Sequence, residues 1–351
     1  MILFFLLTFL LSGLATYLIR HYALNKKLLD IPNARSSHVI PTPRGGGLSV
    51  VIVFLIALCG LEYASLISLG DVLVSLIISS VLIAGIGFWD DHQSIPARWR
   101  FSIHILSILI ILISLPELPL LYFFGYTLDI PIVNFIIYTL ALAWLLNLYN
   151  FMDGIDGLAS SEAISVSVNA ALLLFIQDNH NESRVLFLLA SCVAGFLIWN
   201  WPHAKIFMGD ACSGFLGFIF GVLILITSLN ETINLWSWSI LLALFISDSS
   251  VTLATRVLNG EKWYEAHCSH AYQYYSNQLI RQFEHQGFKK TKARTQAHKQ
   301  INLSLLAINT FWLLPWAAVS IFYPYWGVVI TLIAYIPLIM TVKNMRTLHV
   351  D

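Results

Sequence analysis

Eleven apolar runs, each close to the thickness of a bilayer's hydrocarbon core, divide this chain, and no other feature limits its fold as tightly. A membrane-crossing helix needs about 20 largely apolar residues. Cutting the chain where charge, Pro or Gly interrupts places candidate spans at 2–19, 47–64, 71–88, 102–121, 132–150, 158–177, 184–200, 213–229, 235–256, 301–321 and 325–342. Pro116 and Pro119 shorten the fourth, so the pattern predicts ten or eleven spans. Within lipid every backbone polar group needs an internal partner, which leaves helices as the solution for such runs. With 58% of its 351 residues hydrophobic and 11% charged, the chain has too little polar surface to cover a water-soluble domain. The fold class is an all-α polytopic membrane protein, read as one integral membrane domain over 1–351 with a long loop at 257–300. The first run lacks a basic leader and a small-residue cleavage site, which predicts an anchor.

Orientation follows from the Lys and Arg of short loops. With the N-terminus outside, every one of the 19 Lys and Arg except Arg184 falls on an inside loop or the inside tail. Segments 20–46, 89–101, 150–157, 201–212 and 257–300 are then cytoplasmic, and the active site belongs on that face. A net charge of zero leaves no basic stripe for nucleic acid. Cys59, Cys192, Cys212 and Cys268 are scattered, without a C-x-x-C pair, and suggest neither disulfides nor zinc.

The inside segments concentrate oxygen ligands. Asp90 and Asp91 end the third span, with Arg98 and Arg100 behind them. Adjacent carboxylates repel unless they are hydrated, paired with cations or bound to metal; a solvated loop is the plain alternative. Asn147, Asn150 and Asp153 share a helix face at i, i+3 spacing, and Gly154 and Gly157 then let the chain turn close to a ligand before and after Asp156. Polar groups at this depth are costly in lipid and usually functional, although Asp156 also suits a helix cap. Asp210 precedes an apolar run, as an N-cap or a metal ligand would. Oxygen ligands without a Cys/His set suit Mg²⁺ or Mn²⁺ rather than zinc. Arg44 stands beside Gly45–Gly47, whose free N–H groups would suit phosphate oxygens. His267 and His270 are three apart, fitting sugar or phosphate contact better than metal, with a satisfied structural histidine as the plain alternative for each. Residues 274–300 are polar, either a solvated helix or a face for anionic headgroups.

Carboxylates, a divalent cation and basic groups at a membrane surface are what phosphoryl transfer requires. Five motifs in order, Pro-Thr-Pro-Arg-Gly-Gly-Gly (41–47), Trp-Asp-Asp (89–91), Asn-Phe-Met-Asp-Gly-Ile-Asp-Gly-Leu (150–158), Met-Gly-Asp (208–210) and His-Cys-Ser-His-Ala-Tyr-Gln (267–273), resemble the polyprenyl-phosphate N-acetylhexosamine-1-phosphate transferase family, glycosyltransferase family 4. The resemblance implies a Mg²⁺-dependent enzyme of the bacterial inner membrane that moves a sugar-1-phosphate from a UDP-N-acetylhexosamine to undecaprenyl phosphate and releases UMP. It implies that Asn150 and Asp210 hold the metal, with Mn²⁺ as the alternative ion. Asp156 would recognise uridine, and Asp153 would line the same pocket as a catalytic residue. Asp90 and Asp91 match the family's acidic pair, with base and metal-support roles both open. Arg100 matches a basic position near phosphate, His38 stands where some members have lysine, and Arg44, His267 and His270 complete the substrate-binding set.

The chain lacks the consecutive histidines of the MurNAc-pentapeptide transferases. Its His-x-x-His-Ala-Tyr-Gln form resembles members that start O-antigen or related surface polysaccharide, whose sugars include GlcNAc, FucNAc and QuiNAc. A secondary transporter would place ionisable groups near mid-bilayer in repeated halves, whereas these carboxylates sit at span ends and no repeat is visible. A scaffold needs no such set. Oligomeric state is open, a homodimer included.

Overall fold

The computed structural model describes residues 1–32, 40–124, 126–261 and 268–347. Its helices follow the apolar runs: α1 (Ile2–Asn25), α2 (Leu48–Tyr63), α3 (Val72–His92), α4 (Ala97–Ser114), α5 (Pro131–Met152), α6 (Leu158–Ile176), α7 (His180–Asn200) and α8 (Asp210–Leu229). The remainder are α9 (Leu235–Leu241), α10 (Ala243–Leu258), α11 (Ala271–His285), α12 (Lys290–Ile308), α13 (Leu314–Phe322) and α14 (Gly327–Thr347). Among the described residues nine helical stretches are long and apolar enough to cross a bilayer, and the α9–α10 pair makes a tenth if counted as one span. Helix α2 is apolar but shorter, since its start is taken up by the 41–47 turn. The protein is thus an all-α multi-pass membrane protein. Two small antiparallel hairpins complete it: β1 (Leu29–Asp30) with β2 (Thr42–Pro43), and β3 (Leu121–Phe123) with β4 (Tyr126–Leu128).

Three elements depart from the expected spans. Helix α4 starts before residue 102 and stops at Ser114, ahead of Pro116, because a residue preceding proline is pushed out of the helical region. The run 235–256 is not one straight span but bends by 81° at Leu242. No Pro or Gly causes the bend; the Tyr335 hydroxyl donates to the Ser239 carbonyl at 2.8 Å, supplying a partner for a group that a break leaves unpaired. In the segment expected to be a loop, 257–300, α11 and the first half of α12 form a helical hairpin. From Lys290 the helix continues through a π-helical turn at Asn309–Leu313 to Phe322.

Helix α8 is the buried axis, packed between α3 and α5. Without a hydrophobic drive between helices in lipid, close backbone approach through small residues holds such a bundle together. Gly87 of α3 lies against the backbone of Ala211, and a Cβ there would come within 2.6 Å of the Ala211 Cα. A Cβ at Gly217 would come within 2.6 Å of the Leu146 Cα on α5. A polar knot ties α6 to α12: the Asn309 amide donates to Glu162 and to Ser165, each at 2.6 Å, and Asn169 donates to the Asn309 carbonyl at 3.1 Å.

Alternating helix directions gather the ends of α3, α5, α7 and α10 and the starts of α4, α6, α8 and α11 at one end of the bundle. Arg184 lies at the other end, donating to the Leu66 carbonyl. Overpacking costs about 1–3 kcal/mol, so Gly217→Ala should lower the unfolding temperature in detergent by several degrees. Gly85→Ala, whose added Cβ would meet nothing within 4 Å, should leave it unchanged or raise it. Equal behaviour of the two variants in thermal unfolding would contradict this packing.

Candidate active site

The last turn of α3 presents Asp90 and Asp91 to the start of α8. Arg100, in the first turn of α4, bridges them: its Nη1 is 2.7 Å from Asp90 Oδ2 and 3.2 Å from Asp210 Oδ2. Asp90 also accepts the Ile95 N–H at 2.7 Å, closing the α3–α4 turn onto its own carboxylate. Asp91 is buried and takes the Asp210 N–H on Oδ1 at 3.2 Å, which satisfies a free donor of the α8 N-terminus. Its Oδ2 is buried with no hydrogen-bond partner. Gly209 allows this approach. It has φ +82°, and a Cβ there would strike Asp91 Oδ2 and come within 2.9 Å of the Gly45 backbone.

Arg44 turns back to the C-terminus of α3, donating from Nε to the Asp91 carbonyl at 2.8 Å and from Nη2 to the Asp90 carbonyl at 3.2 Å. A cation on the last carbonyls of a helix is favoured by the helix dipole, so Arg44 positions the acidic pair. Contrary to the expectation from the glycine run, the N–H groups of Gly46 and Gly47 are not free. Both donate at 2.9 Å, to the carbonyls of Phe207 and Met208. Backbone pairing thereby fastens the 41–47 turn to the loop that carries Asp210.

From α5, Asn150 donates to Ser213 Oγ at 3.1 Å and reaches the Asp210 carboxylate. Asp153 follows, close enough to interact with Asp210, Asp91 and Asp156. Burial and those three carboxylates hold its carboxyl well above the ordinary range. Asp156 is buried three residues on. Burial pushes its carboxyl up, but His298, 3.3 Å away, and the Ala204 N–H at 3.2 Å outweigh that and hold it below the usual range. Asn302 donates to the Asp156 carbonyl at 2.9 Å.

His270 caps α11, with Nδ1 3.3 Å from Asp248 Oδ1. The Asp248 carboxylate also accepts the N–H groups of Ala271 at 2.9 Å and Tyr272 at 3.0 Å, as an anion at a helix N-terminus should. The Tyr272 hydroxyl donates to the Phe151 carbonyl at 3.2 Å, and any side chain at Gly154 would run into it. Both ends of the α11–α12 hairpin thus press on the 151–157 turn, through Tyr272 on one side and His298 with Asn302 on the other.

Of the residues singled out from the sequence, Asp90, Asp91, Arg100, Asn150, Asp153 and Asp210 converge, with Arg44 behind the acidic pair. Asp156 and His270 stand at the edges, held by His298 and Asp248, which belong to none of the motifs. His38 and His267 lie outside the described residues. The missed residues are Asp248, His298 and Asn302, while Tyr272 lies in the 267–273 motif with no role assigned to it. Asp248 had a signal, a carboxylate within an apolar run; the α12 residues were hidden in a stretch that reads as a solvated helix.

Among the described residues no three His, Cys, Asp or Glu side chains form a ready metal-binding group. A divalent cation nevertheless fits the donors present. They are all oxygen, Asp91 Oδ2 lacks a partner, and Mg²⁺ is commonly held by one or two carboxylates with water and substrate phosphates as its other ligands.

The sequence model described as glycosyl transferase family 4 matches residues 73–228, the stretch from α3 to α8 that carries the acidic pair, the 150–157 turn and Asp210. The chain is 28% identical over 269 residues to a probable undecaprenyl-phosphate N-acetylglucosaminyl 1-phosphate transferase of Bacillus subtilis, covering 73% of this chain and 72% of that protein. It is 30% identical over 233 residues to a decaprenyl-phosphate N-acetylglucosaminephosphotransferase of Mycolicibacterium smegmatis, covering 60% of this chain and 56% of that one. It is also 30% identical over 238 residues to a phospho-N-acetylmuramoyl-pentapeptide-transferase of Prochlorococcus marinus, covering 63% of each. The match therefore spans less than two thirds of the last two proteins' length. Helical architecture, acidic site and relatives agree: the chain is a multi-pass membrane protein whose stretch from α3 to α8 matches glycosyl transferase family 4.

Proposed function

We propose that the protein transfers an N-acetylhexosamine-1-phosphate from a UDP-sugar to undecaprenyl phosphate, releasing UMP, as the first step of O-antigen or related surface polysaccharide synthesis. The site would face the cytoplasm of a bacterial inner membrane, with the N-terminus outside. The carrying observation is the convergence of Asp90, Asp91, Arg100, Asn150 and Asp210, from the ends of α3, α4, α5 and α8, at one end of a membrane bundle. A soluble nucleotide and a lipid phosphate meet only at such a boundary.

In this reading an oxygen of the acceptor phosphate attacks the sugar-bearing phosphorus of the donor. A new P–O bond forms while the bond to UMP breaks, and the electron pair leaves with UMP. A phosphate monoester is largely ionised at neutral pH, so proton removal by a strong base is not required. Asn150 and Asp210 would hold Mg²⁺, or Mn²⁺ in its place, with Asp91 Oδ2 facing the same charge. When bound, the cation neutralises the donor diphosphate. Arg100 keeps Asp90 and Asp210 together despite their mutual repulsion and offers its remaining donors to phosphate oxygens. A bound cation would favour the ionised form of Asp153, whose carboxyl burial and three neighbouring carboxylates otherwise push up. Asp156 would take the uridine, and His270, oriented by Asp248, would stand at the donor's edge with His267. His38 would approach from the loop before the glycine run. The missing histidine run argues for GlcNAc, FucNAc or QuiNAc over MurNAc-pentapeptide.

UMP release by the full chain in detergent, with undecaprenyl phosphate, Mg²⁺ and a panel of UDP-N-acetyl sugars, should depend on the lipid, on one preferred donor and on omission of EDTA. Release that persists without lipid would contradict the assigned acceptor. Asp210→Asn and Asn150→Ala should each lower turnover by about a hundredfold or more while unfolding at the wild-type temperature. Near-normal turnover in both would remove the metal assignment.

A further inference from the structure

The edge of the bundle formed by α1 and α7 carries a second group of charges, apart from the acidic cluster. Helix α1 buries little of its apolar length and so faces lipid. Arg20 follows that apolar run directly, and Trp199 stands in the last turn of α7, which places both at the site-side boundary of the bilayer. The Arg20 guanidinium stands over the Trp199 ring, 5.9 Å from its centroid, and Lys205 Nζ stands over the same ring at 5.2 Å. Tyr17 packs on that ring with centroids 5.6 Å apart. Hydrogen bonds fix the arrangement: the indole N–H of Trp199 donates to the Gly13 carbonyl at 3.0 Å, and Arg20 Nε donates to the Lys205 carbonyl at 3.2 Å.

Two cations drawn to one ring repel each other, and neither belongs to any ion pair among the described residues. Attraction to a partly exposed ring is weak and leaves their charge uncompensated. Of the Arg20 nitrogens only Nε donates to a described residue, so its outer N–H groups and the Lys205 ammonium keep their donors for a ligand. That ligand has to be anionic and lie at headgroup depth. It also gains from an apolar part, because Leu14, Leu18 and Ile198 expose their side chains beside the pair on the membrane side. A soluble phosphate supplies the charge but nothing for this flank.

We infer that Arg20, Lys205 and Trp199 form a binding site for the phosphodiester headgroup of an anionic phospholipid in the site-side leaflet. The inference does not depend on the proposed reaction. It does connect the lipid to the acidic cluster, because Lys205 belongs to the 201–209 loop that leads into Asp210. That loop gives the Ala204 N–H to Asp156 at 3.2 Å and the Phe207 and Met208 carbonyls to the glycine run. A headgroup held by both cations fastens α1 to this backbone.

The test reconstitutes the full chain in phosphatidylcholine vesicles with a trace of spin-labelled phosphatidylglycerol or spin-labelled phosphatidylcholine, and reads the motionally restricted fraction of each by electron paramagnetic resonance. The wild type should restrict the phosphatidylglycerol label preferentially, and Arg20→Gln combined with Lys205→Gln should cut that preference about twofold or more. Lys205→Gln alone, which removes no hydrogen bond within the protein, should lose part of it and guards against a folding defect in the double variant. Lys289→Gln combined with Lys290→Gln, which removes the same charge from the start of α12, should keep it. Phosphatidylglycerol should also raise the unfolding temperature in detergent by a few degrees for the wild type and by less for Lys205→Gln. Equal preference in the wild type and both Lys205 variants overturns the inference, and so does an equal loss in the α12 variant, which would mean general surface charge. Displacement of the label by inorganic phosphate overturns the lipid assignment. Displacement by undecaprenyl phosphate at a lower concentration than by unlabelled phosphatidylglycerol overturns it too, giving the pair to a phosphate monoester.

Discussion

One arginine decides whether the acidic residues of this protein can form a site. Arg100 joins Asp90 to Asp210, two carboxylates that would otherwise repel and that come from helices far apart in the chain. A partly exposed ion pair adds only about 1 kcal/mol or less to stability, so its importance is geometric. The surroundings reinforce it. Arg44 neutralises the carbonyl end of α3, Asp91 caps the start of α8, and glycines at 87 and 209 let the two elements meet with backbone in contact.

The second half of the chain works differently, through support for the 151–157 turn. Asp248 is carried to the site end by the bend at Leu242, and there it collects the N–H groups that start α11 together with the ring of His270. Arg346, near the end of α14, donates to the Ser269 carbonyl at 3.0 Å and to Thr252 at 2.8 Å, adding a further helix to the same junction. Through Tyr272, His298 and Asn302 the hairpin grips the turn that holds Asp153 and Asp156. A membrane bundle with short loops at the site end thereby obtains a site wall from a helical pair that lies outside the most apolar stretches.

Much of this was legible in the sequence because membrane helices and clustered carboxylates leave strong, local signals. Apolar length gave the spans within a few residues at most boundaries, and the acidic, amide and Met-Gly-Asp segments named the residues that meet around Arg100. Distance in the chain hid the rest. Nothing near Asp248 says that it will cap a helix more than twenty residues later, and nothing near His298 or Asn302 points to Asp156. The bend at 242 carries no Pro or Gly, and the Tyr335 hydroxyl that serves a carbonyl beside it lies on α14, far away in the chain. The glycine run reads as an open anion cradle, but two of its N–H groups are consumed by the 207–208 backbone. Periodicity and motif spacing report local preference, whereas these contacts are set by tertiary packing.

The central claim is that residues from α3, α4, α5 and α8 form one cation-dependent phosphate site. Electron paramagnetic resonance of Mn²⁺ titrated into the full chain with UDP tests it without relying on turnover. The account predicts a bound Mn²⁺ signal that changes when UDP is added and is lost in both Asp210→Asn and Asn150→Ala. Mn²⁺ bound equally well by the wild type and by both variants would contradict it.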